Sequence, residues 1–578
     1  MFKKTDSTQA ELFCGIGNII GQKKAEKLLC PNQPHNIFYK EVTSRIDETI
    51  FSVLYCSDNG RPNASIRRLI AMMVLKEGEG WTDEQLFEEC NFNMRIMLAL
   101  GLNNITDESP ASSTYYQFKA SLEQHKAETG EDLLERCFEQ ITLDQMDYHG
   151  VSGKRIRLDS KLIQSNISKS SRLGLLLEGL RKHVSSDLDS WQQKVSFSVQ
   201  EIELLQQLQE EKPHRILYSL TKDQQKDLLK NTGYLYRKLA EVSHAESIIT
   251  KLFEQHYQVK KKATKEQKDQ GCDNGKDSDQ GDEISDELSE VEPIESKELK
   301  ATNIQSIHDT QAAFRQKNSQ KIQGYHVEVT ETCTSGNDIN LITEVSTYKA
   351  NESECDFLRT SIDKVNMLLA QKSKPEQVKE AIMDGGYDSI ENRDWGLRLS
   401  ETIELIMRKF KGKPQKYEMY LQGENKDELS VKIKATGQEC KVCKDKKNTK
   451  VVVIEPDGKR RYFSEEQIRN YINRQKAFKK DNKLHQGLRA NMESTIHQMF
   501  CKLEKRNKTR YRGQTRSHYY ALSRAIWVNF TRISGKIAEK TSFFTNLATT
   551  FITTLRTTMI WIRLCQKPWA VQLQKEKY

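Results

Sequence analysis

The chain has 578 residues, 36% of them hydrophobic and 30% charged, with a formal net charge of +9. That length allows several domains of roughly 100–200 residues each, and the apolar share, though low for a globular chain, suffices for buried cores. The 12 cysteines follow no disulfide framework, which suits a reducing cytoplasm, and the start Met1-Phe2-Lys3-Lys4 lacks the apolar region of a signal peptide.

Residues 1–148 read as a helical domain. Arg61-Pro62 precedes a helix from Ala64 to Leu75 with Ile66, Leu69, Ile70, Met73 and Val74 at helical spacing. Gly78 to Gly80 break it, and Thr82 with Gln85 three residues on predicts a capping box for a second helix. Two helices around a glycine turn suggest a helix-turn-helix that lays one helix in a DNA groove; an ordinary helical hairpin has the same pattern. From Val151 a strand is expected to end at Asp159. Residues 166–300 form a helical insertion, rich in leucine, whose end from about 260 to 298 is charged and free of aromatics. Such a stretch cannot bury enough apolar surface to order itself and is expected to be disordered.

Residues 301–410 return to strands: Gly324–Thr330 alternates, Asn340–Thr347 is its expected hairpin partner, and Asp356–Leu369 is a helix. Val378–Met383 is a strand running into Asp384-Gly385-Gly386, where two glycines permit a sharp exit with positive φ. Ile403–Met407 is another strand. Residues 411–480 look like a basic β-rich insertion. Its Cys440-Lys441-Val442-Cys443 has no second pair nearby to complete a zinc site. In residues 481–530, Leu488–Leu503 is a helix with Arg489 and Glu493 four apart on one face. Lys505, Lys508, Arg510 and Arg512 follow, with Tyr511 between them. Basic residues suit a phosphate backbone, and Tyr511 could stack on an unpaired base. Residues 531–578 are a helical tail whose apolar stretch Phe543–Ile562 carries Thr and Arg556, too polar for a typical membrane span.

Asp159 after an early strand, Asp384 after a later one and Glu493 on a helix could together hold two divalent ions, of the kind that serve phosphoryl transfer. Mg²⁺ suits such oxygen ligands, and a basic chain around an acidic centre suits a polyanionic substrate. Asp159-Ser160-Lys161-Leu162-Ile163, Asp384-Gly385-Gly386-Tyr387-Asp388-Ser389 and Arg489-x-x-x-Glu493 resemble the three blocks of DDE-type insertion-sequence transposases, nearest the branch of the IS-eleven-eighty-two elements. A Gly60-Arg61-Pro62 block and Pro110–Phe118 continue the match, and Asp309 and Lys317 match positions near the family's site. The wider pattern often has Tyr three before the Arg and Lys seven after the Glu; here Gln486 and Phe500 stand there.

The resemblance implies an α/β fold with a ribonuclease-H-like mixed sheet, a helical N-terminal domain that binds DNA, and catalysis by Asp159, Asp384 and Glu493. These would bind two Mg²⁺ ions, with Mn²⁺ as a substitute. Water would attack the phosphodiester at the element end, and the freed 3′ hydroxyl would attack target DNA, with no covalent protein–DNA intermediate. Arg489 and the basic run 505–512 would contact DNA. The implied partners are terminal inverted repeats, target DNA and further copies of the chain, as a homodimer or higher oligomer on DNA. The implied place is the bacterial cytoplasm at the nucleoid, away from membranes. A nuclease of the same fold without strand transfer, and a non-catalytic DNA-binding derivative, are the alternatives.

Overall fold

The computed structural model describes residues 1–4, 15–56, 60, 62–261, 289–317, 319–389, 391–392, 395, 403–407, 416–422, 428–444, 450–465, 467–469, 471–472 and 483–541. The fold is mixed α/β, as expected. Its central sheet is built around β1 (Arg155–Gln164), with two further strands, β2 (Tyr257–Lys261) and β3 (Ser289–Pro293), pairing apart from it. The sheet continues with β4 (Ala313–Lys317), β5 (Gln320–Thr332), β6 (Ile342–Lys349), β7 (Glu380–Met383) and β8 (Glu404–Met407). β5 runs antiparallel to β1, β7 runs parallel to β1 on its other side, and β8 runs parallel to β7. β4 and then β6 pair antiparallel with successive parts of the far edge of β5.

The N-terminal helices do not stand apart from this sheet. α1 (Pro34–Glu41), α2 (Ile66–Glu79), α3 (Asp83–Phe92), α4 (Ser112–Thr129) and α5 (Leu133–His149) share one core with Tyr325, Val327 and Val329 of β5 and with the helix over residues 514–541. α2 is buried on nearly every side from Leu69 to Gly78, so it is the axis of that core rather than a surface element. Gly80, at φ 78°, caps it, while Gly78 lies within the helix because any Cβ there would strike the Trp527 ring. The capping box at Thr82 and Gln85 is present.

Helices α6 (Arg172–His183), α7 (Val199–Glu210), α8 (Lys222–Glu241) and α9 (Ile248–His256) enclose a second core of Leu176, Leu180, Leu205, Leu235 and Leu252. β2 and β3 close it. This pairing corrects the expectation of disorder from 260 to 298: Lys260 and Ser289–Pro293 are strand, held by one apolar anchor, the fully buried Val291. Its acidic stretch, 262–288, lies outside the described residues.

A helix, α10 (Glu354–Ala370), covers one face of the central sheet through Leu358, Ile362 and Val365. α11 (Lys483–Phe500) covers the other. The basic insertion is a five-stranded antiparallel sheet, β9 (Tyr417–Gln422), β10 (Glu428–Ile433), β11 (Glu439–Lys444), β12 (Val451–Ile454) and β13 (Arg460–Phe463). The helix over 514–541 runs through 530, where the sequence suggested a boundary, and buries Ile533 beyond it. Phe543–Ile562 lies outside the described residues; within them no helix is long and apolar enough to cross a membrane.

Candidate active site

Asp159 is in the middle of β1, not at its end, because the strand continues as the partner of β5 to Gln164. It is nonetheless the place where β1 parts from β7. Their parallel ladder ends with Arg157 opposite Ile382, two residues before Asp159 and two before Asp384. Side chains two apart on a strand share a face, so Asp159 lies on the face of Arg157, while Asp384 stands just past the end of β7, two residues after Ile382. The Ser160 N–H donates to Asp159 Oδ1 at 2.8 Å, and the Gly386 N–H to Asp384 Oδ1 at 2.5 Å.

The glycines after Asp384 serve a purpose other than positive φ, which neither adopts. A Cβ on Gly386 would occupy the space of the Glu354 carboxylate and come within 2.6 Å of Asp384 Oδ1. The turn needs glycine because two carboxylates close on it. Glu354, the first residue of α10 after the Ser353 cap, thereby joins the site. Its Oε1 accepts from Ser160 Oγ at 3.3 Å and lies 3.5 Å from His326 Nε2 and 3.6 Å from Lys317 Nζ.

Beside it, Glu328 is fully buried. The Tyr387 hydroxyl donates to its Oε2 at 2.7 Å, while Oε1 has no hydrogen-bond partner. Burial, reinforced by the nearby charges of Glu344, Asp159 and Glu354, pushes its carboxyl well above the usual range. His326, fully buried against Ser160 Oγ at 2.8 Å, is held down to about 3 by burial and by Arg315. Glu354, Glu328 and His326 were not singled out from the sequence. The available signal was His326-Val327-Glu328, polar residues alternating on a strand covered on both faces.

α11 lies on the face of Asp159. Arg157, two residues before it, donates to Glu331, which also accepts from Thr495 of α11 at 2.7 Å. Glu493 is exposed on this helix beside the buried Met492. Arg489 is one turn earlier on it; its side chain lies outside the described residues. The carboxylates of Asp159, Asp384 and Glu493 do not all lie within 4.8 Å of one another. The described residues that do form such a triplet, Asp132, Glu135 and His518, are engaged otherwise: Lys126 lies 2.5 Å from Asp132 and Lys364 2.6 Å from Glu135. Asp309, which the resemblance set near the site, is not beside Asp159. It is buried, accepting from Tyr325 Oη at 2.6 Å, Ser165 Oγ at 2.5 Å and the Gly513 N–H at 2.9 Å, and so ties β1, β5 and the last helix together.

The basic run divides. Lys505 is exposed and Lys508 half-buried. Arg510 donates to the carbonyls of Trp81 at 2.7 Å and Gly80 at 2.9 Å, and Arg512 to that of Asn166 at 2.8 Å. Tyr511 donates to Glu77 and has Lys76 and Lys119 over its ring, at 5.7 and 5.4 Å from the centroid. Its ring is half-buried, packed against the N-terminal helices. The α2–α3 pair does not offer a recognition helix either. α3 carries Asp83, Glu84, Glu88 and Glu89 and no lysine or arginine, and an acidic helix is repelled by phosphates. Cys440 is buried and Cys443 exposed on β11; three apart on a strand, they face opposite sides and cannot chelate one ion.

Residues 27–121, which span α1 to α3 and the first half of α4, match the family described as Transposase domain (DUF772). No curated protein and no solved structure is significantly similar to the chain.

Proposed function

We propose that this chain is a transposase of the DDE type, with Asp159, Asp384 and Glu493 as the acidic residues of a two-metal site that cuts element ends and joins them to target DNA. The matched transposase domain supports transposition in general. The observation that supports the finer reading is the parallel register of Arg157 with Ile382, which leaves Asp159 and Asp384 each two residues past the last pair of their strands. The strand order β6-β5-β1-β7-β8, antiparallel on one side of β1 and parallel on the other, supports the ribonuclease-H-like reading of the sheet.

Carboxylate oxygens are the donors a hard divalent cation takes. Glu354 and Asp384 close on the Gly386 turn, and a buried oxygen of Glu328, on the α10 face, is left without a donor, although among the described residues no three of these carboxylates lie within 4.8 Å of one another. Asp159 and Asp384, with Glu493 from α11, would hold Mg²⁺, which when bound activates an attacking oxygen and stabilises a leaving one. The chain's own part is positioning. The amides of Ser160 and Gly386 orient the two aspartates. Glu354, against Ser160 on one side and Gly386 on the other, locks their spacing. Arg157, Glu331 and Thr495 fix α11 against the sheet. Lys505 and Lys508 would neutralise DNA phosphates.

The test uses labelled DNA carrying the ends that flank the gene, with a target plasmid. Cleavage and joining in Mg²⁺ or Mn²⁺, both lost in EDTA, are expected. Cleavage without joining would reduce the reading to a nuclease, and metal-independent cleavage would end it.

A further inference from the structure

We propose that the cavity at the start of α6 is a binding site for a phosphate group. It has a volume of about 400 Å³ and lies where α6 and α9 of the helical insertion meet residues 296–305 and the edge of the central sheet at Phe314 and Gln323. Four features point to an anion. Arg172 and Lys300 bring positive charge to its wall. α6 has twelve residues and starts at this wall, so the positive end of its dipole lies at the cavity, with Ser171 Oγ already accepting from the Gly174 N–H at 3.1 Å. Ser170 and Ser171 sit over that first turn. They can do so because Gly174 has no side chain: a Cβ there would come within 2.6 Å of Ser170 Oγ.

The fourth feature is independent of the helix. His256 lines the cavity, is only 4% exposed, and has no hydrogen-bond partner on either ring nitrogen; Arg172 Nε is likewise buried and unpartnered. The other guanidinium nitrogens of Arg172 are used, on the carbonyls of Ile294 at 2.6 Å and of His256. A buried polar group without a partner costs stability that an incoming acceptor returns. A phosphate oxygen accepts from imidazole N–H, guanidinium N–H, ammonium and backbone N–H alike. The site lies apart from Asp384 and its turn, and does not depend on the catalytic reading. Its phosphate comes either from a free phosphate or nucleotide, or from the end of a DNA strand.

Isothermal titration of inorganic phosphate into the full chain at constant ionic strength tests it, alongside His256→Phe and Lys300→Ala. One phosphate per chain is expected, with affinity at least tenfold weaker in each variant. Lys300 is exposed, so its variant stays informative should His256→Phe fail to fold. A duplex with 5′ phosphates that binds more tightly than its dephosphorylated twin, by a margin lost in Lys300→Ala, makes a DNA end the source. Equal duplexes, with inorganic phosphate and dAMP still bound, make it a free phosphate. No phosphate binding, or binding undiminished in both variants, overturns the proposal.

Discussion

Two glutamates three residues apart on β5, Glu331 and Glu328, are both fully buried and are treated in opposite ways. Glu331 faces α11 and is fully matched: Arg157 reaches it at 2.6 Å, Arg532 at 2.5 Å and Thr495 at 2.7 Å. Glu328 faces α10 and has one hydroxyl donor, with other carboxylates as its neighbours. The first arrangement joins a sheet to two helices. The second is a buried carboxyl among acidic neighbours, which costs the fold stability. On one strand, the carboxylate that joins the sheet to the helices is matched by the chain's own donors, and the one on the opposite face keeps an oxygen without a donor.

Substitutions separate the two. Asp384→Asn is expected to lower DNA cleavage by more than the ~100-fold typical of residues that merely support a ligand, while DNA binding and melting temperature hold; full cleavage by this variant would remove Asp384 from the site. Glu331→Gln should do the reverse at the level of the fold. Loss of one partner from a buried ion pair costs about 3–5 kcal/mol, read by denaturant unfolding; a change below 1 kcal/mol would show that the hub is idle. Glu328→Gln should leave stability unchanged or raised at neutral pH.

The sign of that last effect follows from its raised carboxyl. The folded state binds this proton more tightly than the unfolded one. Stability from this group is therefore lost as pH rises from about 4.5 toward the raised folded value. The melting temperature of Glu328→Gln relative to the native chain should climb across that window, and parallel curves would contradict it. The smallest effect is expected at Lys505 and Lys508. Alanine at either should weaken binding of all DNA sequences alike and reduce the salt slope by about 1, measured by fluorescence anisotropy at several salt concentrations.

Much of the sheet was legible. β5, β6, α10, β7, β8 and α11 lie within a few residues of the segments that alternation and helical spacing marked, because each has one periodic apolar face. What failed did so for physical reasons. The α2–α3 pair has the spacing of a DNA-reading motif, but spacing does not say that α2 is buried all round or that α3 bears only acid. Val291 anchors a strand in a stretch whose average composition reads as disordered; one apolar residue is invisible to an average. Asp384 stood out as a carboxylate between an expected strand and two glycines, and Asp159 as one expected to end a strand that in fact continues past it, whereas Glu354 did not stand out. Its role depends on α10 beginning against the Gly386 turn, a contact between residues distant from Asp159 in sequence. Tyr511 and Arg510 were read by type as DNA contacts, and only packing shows them docked on Glu77, Gly80 and Trp81.

The claim that Asp384 is a metal ligand in DNA cleavage is tested most directly by changing the metal that the site prefers. Asp384→Cys replaces a hard oxygen with a softer thiolate, which Mg²⁺ binds poorly and Mn²⁺ tolerates better. Cleavage of labelled end DNA by this variant should be lost in Mg²⁺ and recovered at least in part in Mn²⁺, while the native chain cleaves in both. Equal activity of Asp384→Cys in the two metals, whether full or absent, would contradict the account.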